Sequence, residues 1–277
     1  MSSPHTAETV ENSRTAPNEV IISVQDLVVR YGQRTVLDNL NLDIHAAETM
    51  VIMGGSGSGK STLLRHIIAL EKPTAGRIFV KGVDVANCSR KELNDIRRVM
   101  GVSFQGGALF NSMTVADNVA LPLREHTKLA EPTIRLIARM KLDQVGLAHA
   151  ENLYPSQLSG GMQKRAAVAR AMAMDPEILL FDEPSAGLDP IIAAGVDELI
   201  LHLKQAFRMT IIVVTHELVS AFMIADRMCM LHKGKMIAVG TREEIRGSDH
   251  PRIRQFLDRV PDEAGVDETE ALRRLTG

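Results

Sequence analysis

A glycine-rich turn between two apolar stretches constrains this chain more than any other feature. The apolar run 50–53 precedes the turn, and the amphipathic stretch 63–68 follows it. The turn matches G-x-x-x-x-G-K-S from Gly54 to Ser61. Strand, turn and helix in this order are typical of a phosphate-binding loop, because glycines let backbone N–H groups close around phosphate oxygens at a helix N-terminus. We therefore predict a nucleoside-triphosphate site and reject a flexible Gly/Ser linker.

The residues of this loop have separate expected tasks. Lys60 is expected to reach the β- and γ-phosphates, and the Ser61 hydroxyl to bind Mg²⁺. The other nucleotide-binding positions are the rest of the loop: Gly54, Gly55, Ser56, Gly57, Ser58, Gly59 and Thr62.

Composition indicates a globular protein without a nucleic-acid partner. The chain has 277 residues, 45% of them hydrophobic and 24% charged, with a net charge of −2. Cys88 and Cys229 imply no disulfide framework and fit a reducing compartment. No stretch reaches the roughly 18 apolar residues that a membrane span needs. Residues 1–18 are polar and without an apolar run, so we expect a disordered lead and no secretory signal.

The pattern of elements predicts an α/β fold with a mostly parallel sheet of the P-loop, RecA-like kind. Continuous apolar runs at 178–181 and 210–214, separated by a helical stretch over 190–208, are typical of fully buried parallel strands. Two β-rich patches within 20–30, with further strands near 40–44 and 77–80, predict a smaller antiparallel sheet. Residues 91–173 are mainly helical, including a helix over 133–145.

Asp182 and Glu183 end the apolar run that begins at Ile178. A carboxylate at the carboxyl end of a strand is well placed to hold an ion beside the phosphate loop. Asp182 is therefore the expected Mg²⁺ ligand, and Glu183 the expected general base that orients the attacking water. The alternative, a helix cap before Pro184, is less favoured because the loop lies upstream.

Ser159, Gly160 and Gly161 precede a helix predicted over 163–174. Hydroxyl and backbone N–H groups at a helix start can bind a second phosphate, which indicates that two chains share each nucleotide. Taken alone, Ser-Gly-Gly is more often a plain capped loop.

Three single residues follow predicted strands. His216 is expected to reach a γ-phosphate, Gln105 to contact the metal or the water, and the Tyr31 ring to stack on a purine. Each alone has an ordinary alternative, such as a hydrogen-bonded surface histidine or a packed aromatic ring.

Together these residues resemble the motifs of the ATP-binding-cassette ATPases, in the right order over about 20–247. The seven motifs are the A-loop, Walker A, Q-loop, signature, Walker B, D-loop and H-switch, at Tyr31, 54–62, Gln105, 158–162, 178–183, 186–189 and His216. The resemblance implies ATP, Mg²⁺, a head-to-tail dimer, and a nucleotide contact by Asp189. The sequence departs from the family at Gly55, usually Pro, and at Met162, usually Gln.

Within the family, residues 104–110, 118–127 and 250–257 are similar to the Mla-type ATPases of phospholipid transport in Gram-negative bacteria. That resemblance implies a membrane permease, a small regulatory subunit of the sulfate-transporter/anti-sigma-antagonist (STAS) type, a periplasmic lipid-binding subunit, and a place on the cytoplasmic face of the inner membrane. The alternative is an importer ATPase for amino acids or another small solute. A translation ATPase would usually carry two tandem cassettes, and this chain shows one set of motifs. A chromosome ATPase would carry a long coiled coil between Lys60 and Ser159, where this chain has only a short stretch.

These patterns divide the chain into a cassette over 19–248, with a helical subdomain at about 106–172, and a C-terminal helical extension over 249–277. The extension is predicted to hold one helix from near Pro251 and a second from near Asp267. The second is expected to dock either on its own cassette or across a dimer, and we favour the dimer. We expect the permease to contact an apolar patch after Gln105: Leu109, Phe110, Met113, Val115 and Val119.

Overall fold

The computed structural model describes residues 19–261, and the predicted disordered lead and the helix predicted near Asp267 lie outside them. Within this range the strands are β1 Val20–Tyr31, β2 Arg34–His45, β3 Thr49–Met53, β4 Ala75–Val80, β5 Val83–Asp84, β6 Met100–Ser103, β7 Ile178–Asp182, β8 Thr210–Thr215, β9 Arg227–His232 and β10 Lys235–Thr241. The α-helices are α1 Lys60–Ile67, α2 Arg90–Arg98, α3 Val115–His126, α4 Glu131–Gln144, α5 Gly160–Ala171, α6 Pro190–Phe207, α7 Leu218–Ile224, α8 Arg242–Arg246 and α9 Pro251–Leu257.

The larger sheet has the order β10-β9-β3-β8-β7-β6, and all neighbours except β10 and β9 are parallel. Both of its faces are buried. In β3, Val51 and Met53 belong to one core cluster, whereas Met50 and Ile52 belong to the other. Burial on both faces explains why the strand sequences are continuously apolar, and the predicted α/β class with a mostly parallel core is confirmed.

The smaller sheet has the order β2-β1-β4-β5 and is antiparallel. Its core shares one cluster with α1 and one face of the larger sheet. The two β-rich patches in 20–30 form one strand. Asp26, with φ 47°, sits in a register shift between Val24 and Leu27, and its N–H donates to Oδ1 of Asn41 at 2.9 Å. The polar residues between the patches therefore form a bulge.

Helices α3, α4 and α5 pack against one another. The helix predicted over 133–145 spans Glu131–Gln144, and its Met140 is 54% exposed. The helix predicted over 163–174 begins at Gly160, because Ser159 caps it: the Ser159 hydroxyl accepts from Met162 N–H at 3.3 Å.

The expected apolar patch after Gln105 is wrong in part. Val115 and Val119 are fully buried in the core that joins these helices to the sheet, whereas Phe110 is 50% exposed. Val115 and Val119 are four residues apart and therefore lie on one face of α3, and that face packs inward.

The C-terminal helix begins at Pro251 as predicted. Ile253 is fully buried in the same cluster as Ile245, so α9 docks on its own chain, whereas Val260 is exposed. None of the helices in the described part of the chain is long and apolar enough to cross a membrane.

Candidate functional site

The phosphate loop connects β3 to α1 with a backbone that requires glycine at two places. Gly54 has φ 151°, and a Cβ there would lie 2.3 Å from the carbonyl oxygen of Leu231. Gly59 has φ 105°, and its Cβ would lie 2.5 Å from Cδ2 of Leu37. A Cβ at Gly55 would meet nothing within 4 Å, so packing does not require a glycine at this departure from the family.

Lys60 begins α1 and turns its ammonium back into the loop. Nζ donates to the carbonyl oxygens of Gly54 at 2.9 Å and Gly55 at 3.2 Å. Burial lowers the pKa of Lys60, and the carboxylates of Glu183 and Asp182 act in the opposite direction. The loop therefore presents a buried cation beside two acidic side chains.

A cavity of about 290 Å³ opens in front of the loop and is lined by residues 57–62 together with Arg34 and Val36. Sequence reasoning missed Arg34, which pairs with Tyr31 across the turn between β1 and β2. A cation next to a predicted purine-stacking tyrosine was the signal that could have found it.

Asp182 ends β7 and meets the first turn of α1. The Ser61 hydroxyl donates to Oδ1 of Asp182 at 3.2 Å. Burial raises the pKa of Asp182, because the ionised carboxylate is disfavoured away from water. A hydroxyl and a carboxylate oxygen at this distance are the kind of ligands that Mg²⁺ takes.

Glu183 and His216 are brought together from the ends of two neighbouring strands. Nδ1 of His216 lies 2.8 Å from Oε2 of Glu183. Glu183 has φ 51°, uncommon for a residue with a side chain, and its N–H donates to the carbonyl of Val214 at 2.8 Å. Its carboxylate is buried, whereas the His216 ring is exposed. Such a strained backbone is often found where a side chain must be aimed.

Gln105 follows β6 and joins this group through its backbone. Its side chain is exposed, and its carbonyl accepts a hydrogen bond from Lys164 Nζ. The same ammonium donates to the Glu183 carbonyl at 3.3 Å. Sequence reasoning missed Lys164, since no pattern in the alanine-rich helix α5 separates this lysine from surface residues.

Tyr31 lies at the end of β1 and is 47% exposed. Its hydroxyl donates to the carboxylate of Glu71, and this hydrogen bond raises the pKa of Tyr31. Arg65 lies 3.9 Å from the same carboxylate. The ring is thus tethered near the end of α1, although no local sequence signal links Tyr31 to Glu71.

The Ser-Gly-Gly turn lies against the start of α6. A Cβ at Gly161 would lie 2.5 Å from Cγ2 of Ile192, and one at Gly160 would lie 3.3 Å from Leu188. Asp189 caps α6 by accepting from Ile191 and Ile192 N–H groups at 3.1 Å. Within residues 19–261, no hydrogen bond joins Ser159 or Asp189 to the phosphate loop.

The buried loop lysine and the acidic groups beside it stand at the carboxyl edge of parallel strands, which is where α/β folds bind and cleave nucleotides. This arrangement defines a P-loop nucleoside triphosphatase. The model of the ABC transporter family matches residues 37–186, and the chain belongs to that family. It binds ATP and is an ATPase.

Curated relatives cover most of the chain. A "probable ribonucleotide transport ATP-binding protein mkl" of Mycobacterium leprae is 45% identical over 87% of this chain and 70% of that protein. The "intermembrane phospholipid transport system ATP-binding protein MlaF" of Haemophilus influenzae is 45% identical over 87% of this chain and 91% of that protein.

Solved structures agree with this fold. A dimer of the ATP-binding cassette MJ0796 in a post-hydrolysis state, bound to ADP and Pi, is 33% identical with a TM-score of 0.73, and covers 80% of this chain and 98% of its own. The cbiO1 protein of Clostridium perfringens, from the transporter complex cbiONQ, is 28% identical with a TM-score of 0.76, and covers 92% and 99%.

Proposed function

We propose that this chain powers phospholipid transport between the inner and outer membranes of a Gram-negative bacterium through a separate permease. The observation that carries the proposal is the identity to MlaF proteins, 45% in Haemophilus influenzae and 42% in Escherichia coli, over 90% or more of their length. The ribonucleotide named for the Mycobacterium leprae relative is the second candidate cargo, and that match covers a smaller share of its protein.

The hydrolytic steps are assigned to residues of this chain. Lys60 binds the β- and γ-phosphate oxygens in place of the loop carbonyls, and Tyr31 stacks on the adenine. Glu183 orients the attacking water and accepts its proton, and His216 holds that carboxylate near the γ-phosphate.

Ser61, Asp182 and Gln105 are the proposed Mg²⁺ ligands. Their donors are a hydroxyl, a carboxylate and an amide oxygen, and the meeting of Ser61 with the carboxylate at 3.2 Å supports the assignment. The bound cation would neutralise charge that develops on the phosphate oxygens.

Two copies are proposed to share each nucleotide head to tail. Ser159, Gly160, Gly161 and Asp189 of one copy then face the ATP held by the phosphate loop of the other. Two features support this: Ser159 and Ile191 are exposed, and the MJ0796 cassette was solved as a dimer.

We also propose that the cassette spans 19–248 and contains a helical subdomain at about 106–172.

The remaining partners follow from the Mla resemblance. They are an integral-membrane permease, a STAS-type regulatory subunit and a periplasmic lipid-binding subunit, with this chain bound peripherally at the cytoplasmic face of the inner membrane. We propose no nucleic-acid partner, in keeping with the net charge of −2.

The proposal is tested by reconstituting the complex that co-purifies with the full chain into vesicles. ATP-dependent transfer of fluorescent phospholipid to acceptor vesicles is expected, and mass spectrometry should find phospholipid retained by the complex. A matched complex that carries Glu183→Gln should show no transfer. ATP-dependent uptake of radiolabelled ribonucleotides or amino acids, without lipid transfer, would overturn the assignment of the cargo.

A further inference from the structure

Two cations of α5 hold the backbone that follows β6. Lys164 donates to the carbonyl oxygen of Gln105. Arg170, six residues further along the same helix, donates to the carbonyl oxygens of Gly107 at 3.0 Å and Ala108 at 2.6 Å. Side chains of α5 therefore donate to every backbone carbonyl of segment 105–108 except that of Gly106.

The bound segment has a tight backbone. Gly107 and Ala108 both have positive φ, 70° and 48°. Both residues lie outside the strands and helices, and their carbonyls accept hydrogen bonds from the Arg170 side chain. Because guanidinium and ammonium groups make charge-assisted hydrogen bonds, segment 105–108 is fixed to α5 more firmly than an ordinary loop would be.

Lys164 alone of the two also reaches the acidic site. Its ammonium donates to the carbonyl of Glu183 at 3.3 Å, and that residue has the strained φ of 51°. Burial lowers the pKa of Lys164, while the carboxylates of Glu183 and Asp182 oppose that effect. The ammonium is thus half-buried between two carbonyls that belong to distant parts of the chain.

We propose that Lys164 is a positioning residue for ATP hydrolysis, which holds the main chain of Glu183 and joins it to the signature helix α5. The inference rests on the proposed role of Glu183 as general base. Loss of the hydrogen bond from Lys164 to the Glu183 carbonyl is expected to change the aim of the Glu183 carboxylate.

The test compares substitutions in the full chain, assayed alone and with its co-purified partners. Lys164→Met keeps the length of the side chain and removes the donor. Losing a hydrogen bond from a charged donor is expected to lower kcat about ten- to a hundredfold. The KM for ATP should change by less than about twofold. Lys164→Arg, which keeps a donating cation, should recover most of kcat.

Arg170→Met is the matched control. It removes hydrogen bonds to segment 105–108 from the same helix but leaves the bond to Glu183, so kcat should change by less than about threefold. A loss equal to that of Lys164→Met would show that holding the loop, and not the base, is what matters, and would overturn the proposal.

A double-mutant cycle separates positioning from general destabilisation. In a Glu183→Gln background, Lys164→Met should cause no further loss of kcat, because the group it positions has already lost its function. Full additivity, or a parental kcat for Lys164→Met alone, would overturn the positioning role and leave the proposed base intact. A parental kcat for Glu183→Gln alone would overturn the base and the positioning role together.

Discussion

Oε2 of Glu183 lies 2.8 Å from Nδ1 of His216, although 33 residues separate them in sequence. The distance follows from the pairing of β7 with β8, in which Asp182 lies opposite Val214. Each of the two side chains stands just beyond the end of its strand. The parallel register, and not any local motif, therefore sets the spacing of this pair.

Replacement of Glu183 by Gln should separate nucleotide binding from hydrolysis. Gln keeps the shape and loses the basic oxygen, so turnover is expected to fall by ~10²–10⁴, while ATP still binds and holds a closed dimer. Turnover with excess ATP and size-exclusion chromatography with ATP measure the two effects. Glu177→Gln, at a residue paired with Lys81, is the control. Equal turnover in Glu183→Gln and parent would contradict the assignment.

Asp182→Asn should affect the nucleotide-free chain and the Mg²⁺–ATP complex in opposite directions. Burial raises the pKa of Asp182, so its carboxyl binds a proton more tightly in the folded than in the unfolded chain. The free energy of unfolding due to this group therefore rises as pH falls through the raised pKa, and the ionised form is destabilising at neutral pH.

The variant should accordingly unfold at a higher temperature than the parent at neutral pH without nucleotide. It should also need more Mg²⁺ for half-maximal hydrolysis, because a carboxylate ligand is lost. Thermal unfolding and Mg²⁺ titration provide the measurements, with Asp38→Asn at an exposed carboxylate as the control. An unchanged Mg²⁺ requirement would remove Asp182 from the proposed ligands.

Ser159 is expected to act on the nucleotide of the second copy. Subunits with Ser159→Arg mixed with subunits with Lys60→Ala form heterodimers that retain one intact composite site. ATP-dependent dimer closure should recover in part relative to either variant alone. Crosslinking that finds Ser159 beside the nucleotide of its own chain only would contradict a shared site.

Phe110→Asp should separate the ATPase from its permease and leave ATP binding unchanged. Phe110 is half exposed and follows the segment held by α5, whereas Val119, from the same expected patch, is in the core. Co-purification of the permease measures the effect. Leu136→Asp, at an exposed position on α4, is the control because it carries the same change of charge. Normal assembly by Phe110→Asp would exclude this surface.

Truncation after Val260 should weaken assembly of the dimer or complex while ATP binding stays unchanged. The truncated chain keeps α9, whose Ile253 is fully buried. Ile253→Ala provides the contrast, since removal of a fully buried isoleucine side chain costs about 2–5 kcal/mol of stability. Analytical ultracentrifugation and chemical unfolding distinguish the two variants, and unchanged assembly after truncation would show residues 261–277 to be dispensable.

Local patterns were sufficient for the parts of the site that lie next to one another in sequence. The unit from β3 through the phosphate loop to α1 carries its apolar pattern, its glycines and its lysine within about twenty residues. The contact of Lys164 with the Gln105 and Glu183 carbonyls depends instead on how α5 packs, which no spacing encodes. The prediction that Val115 belongs to an exposed docking patch failed for a related reason. An apolar spacing identifies one face of a helix but does not say what packs against that face.

Lys60 already satisfies its ammonium with the carbonyls of Gly54 and Gly55. ATP must therefore compete with the chain's own backbone for this cation, which lowers the net gain from the lysine–phosphate contact. Within residues 19–261 no ion pair joins Lys60 to Asp182 or Glu183, so both carboxylates are available for cation and water. The loop is thus preorganised for exchange, because an incoming phosphate replaces the Gly54 and Gly55 carbonyls as acceptors for the Lys60 ammonium.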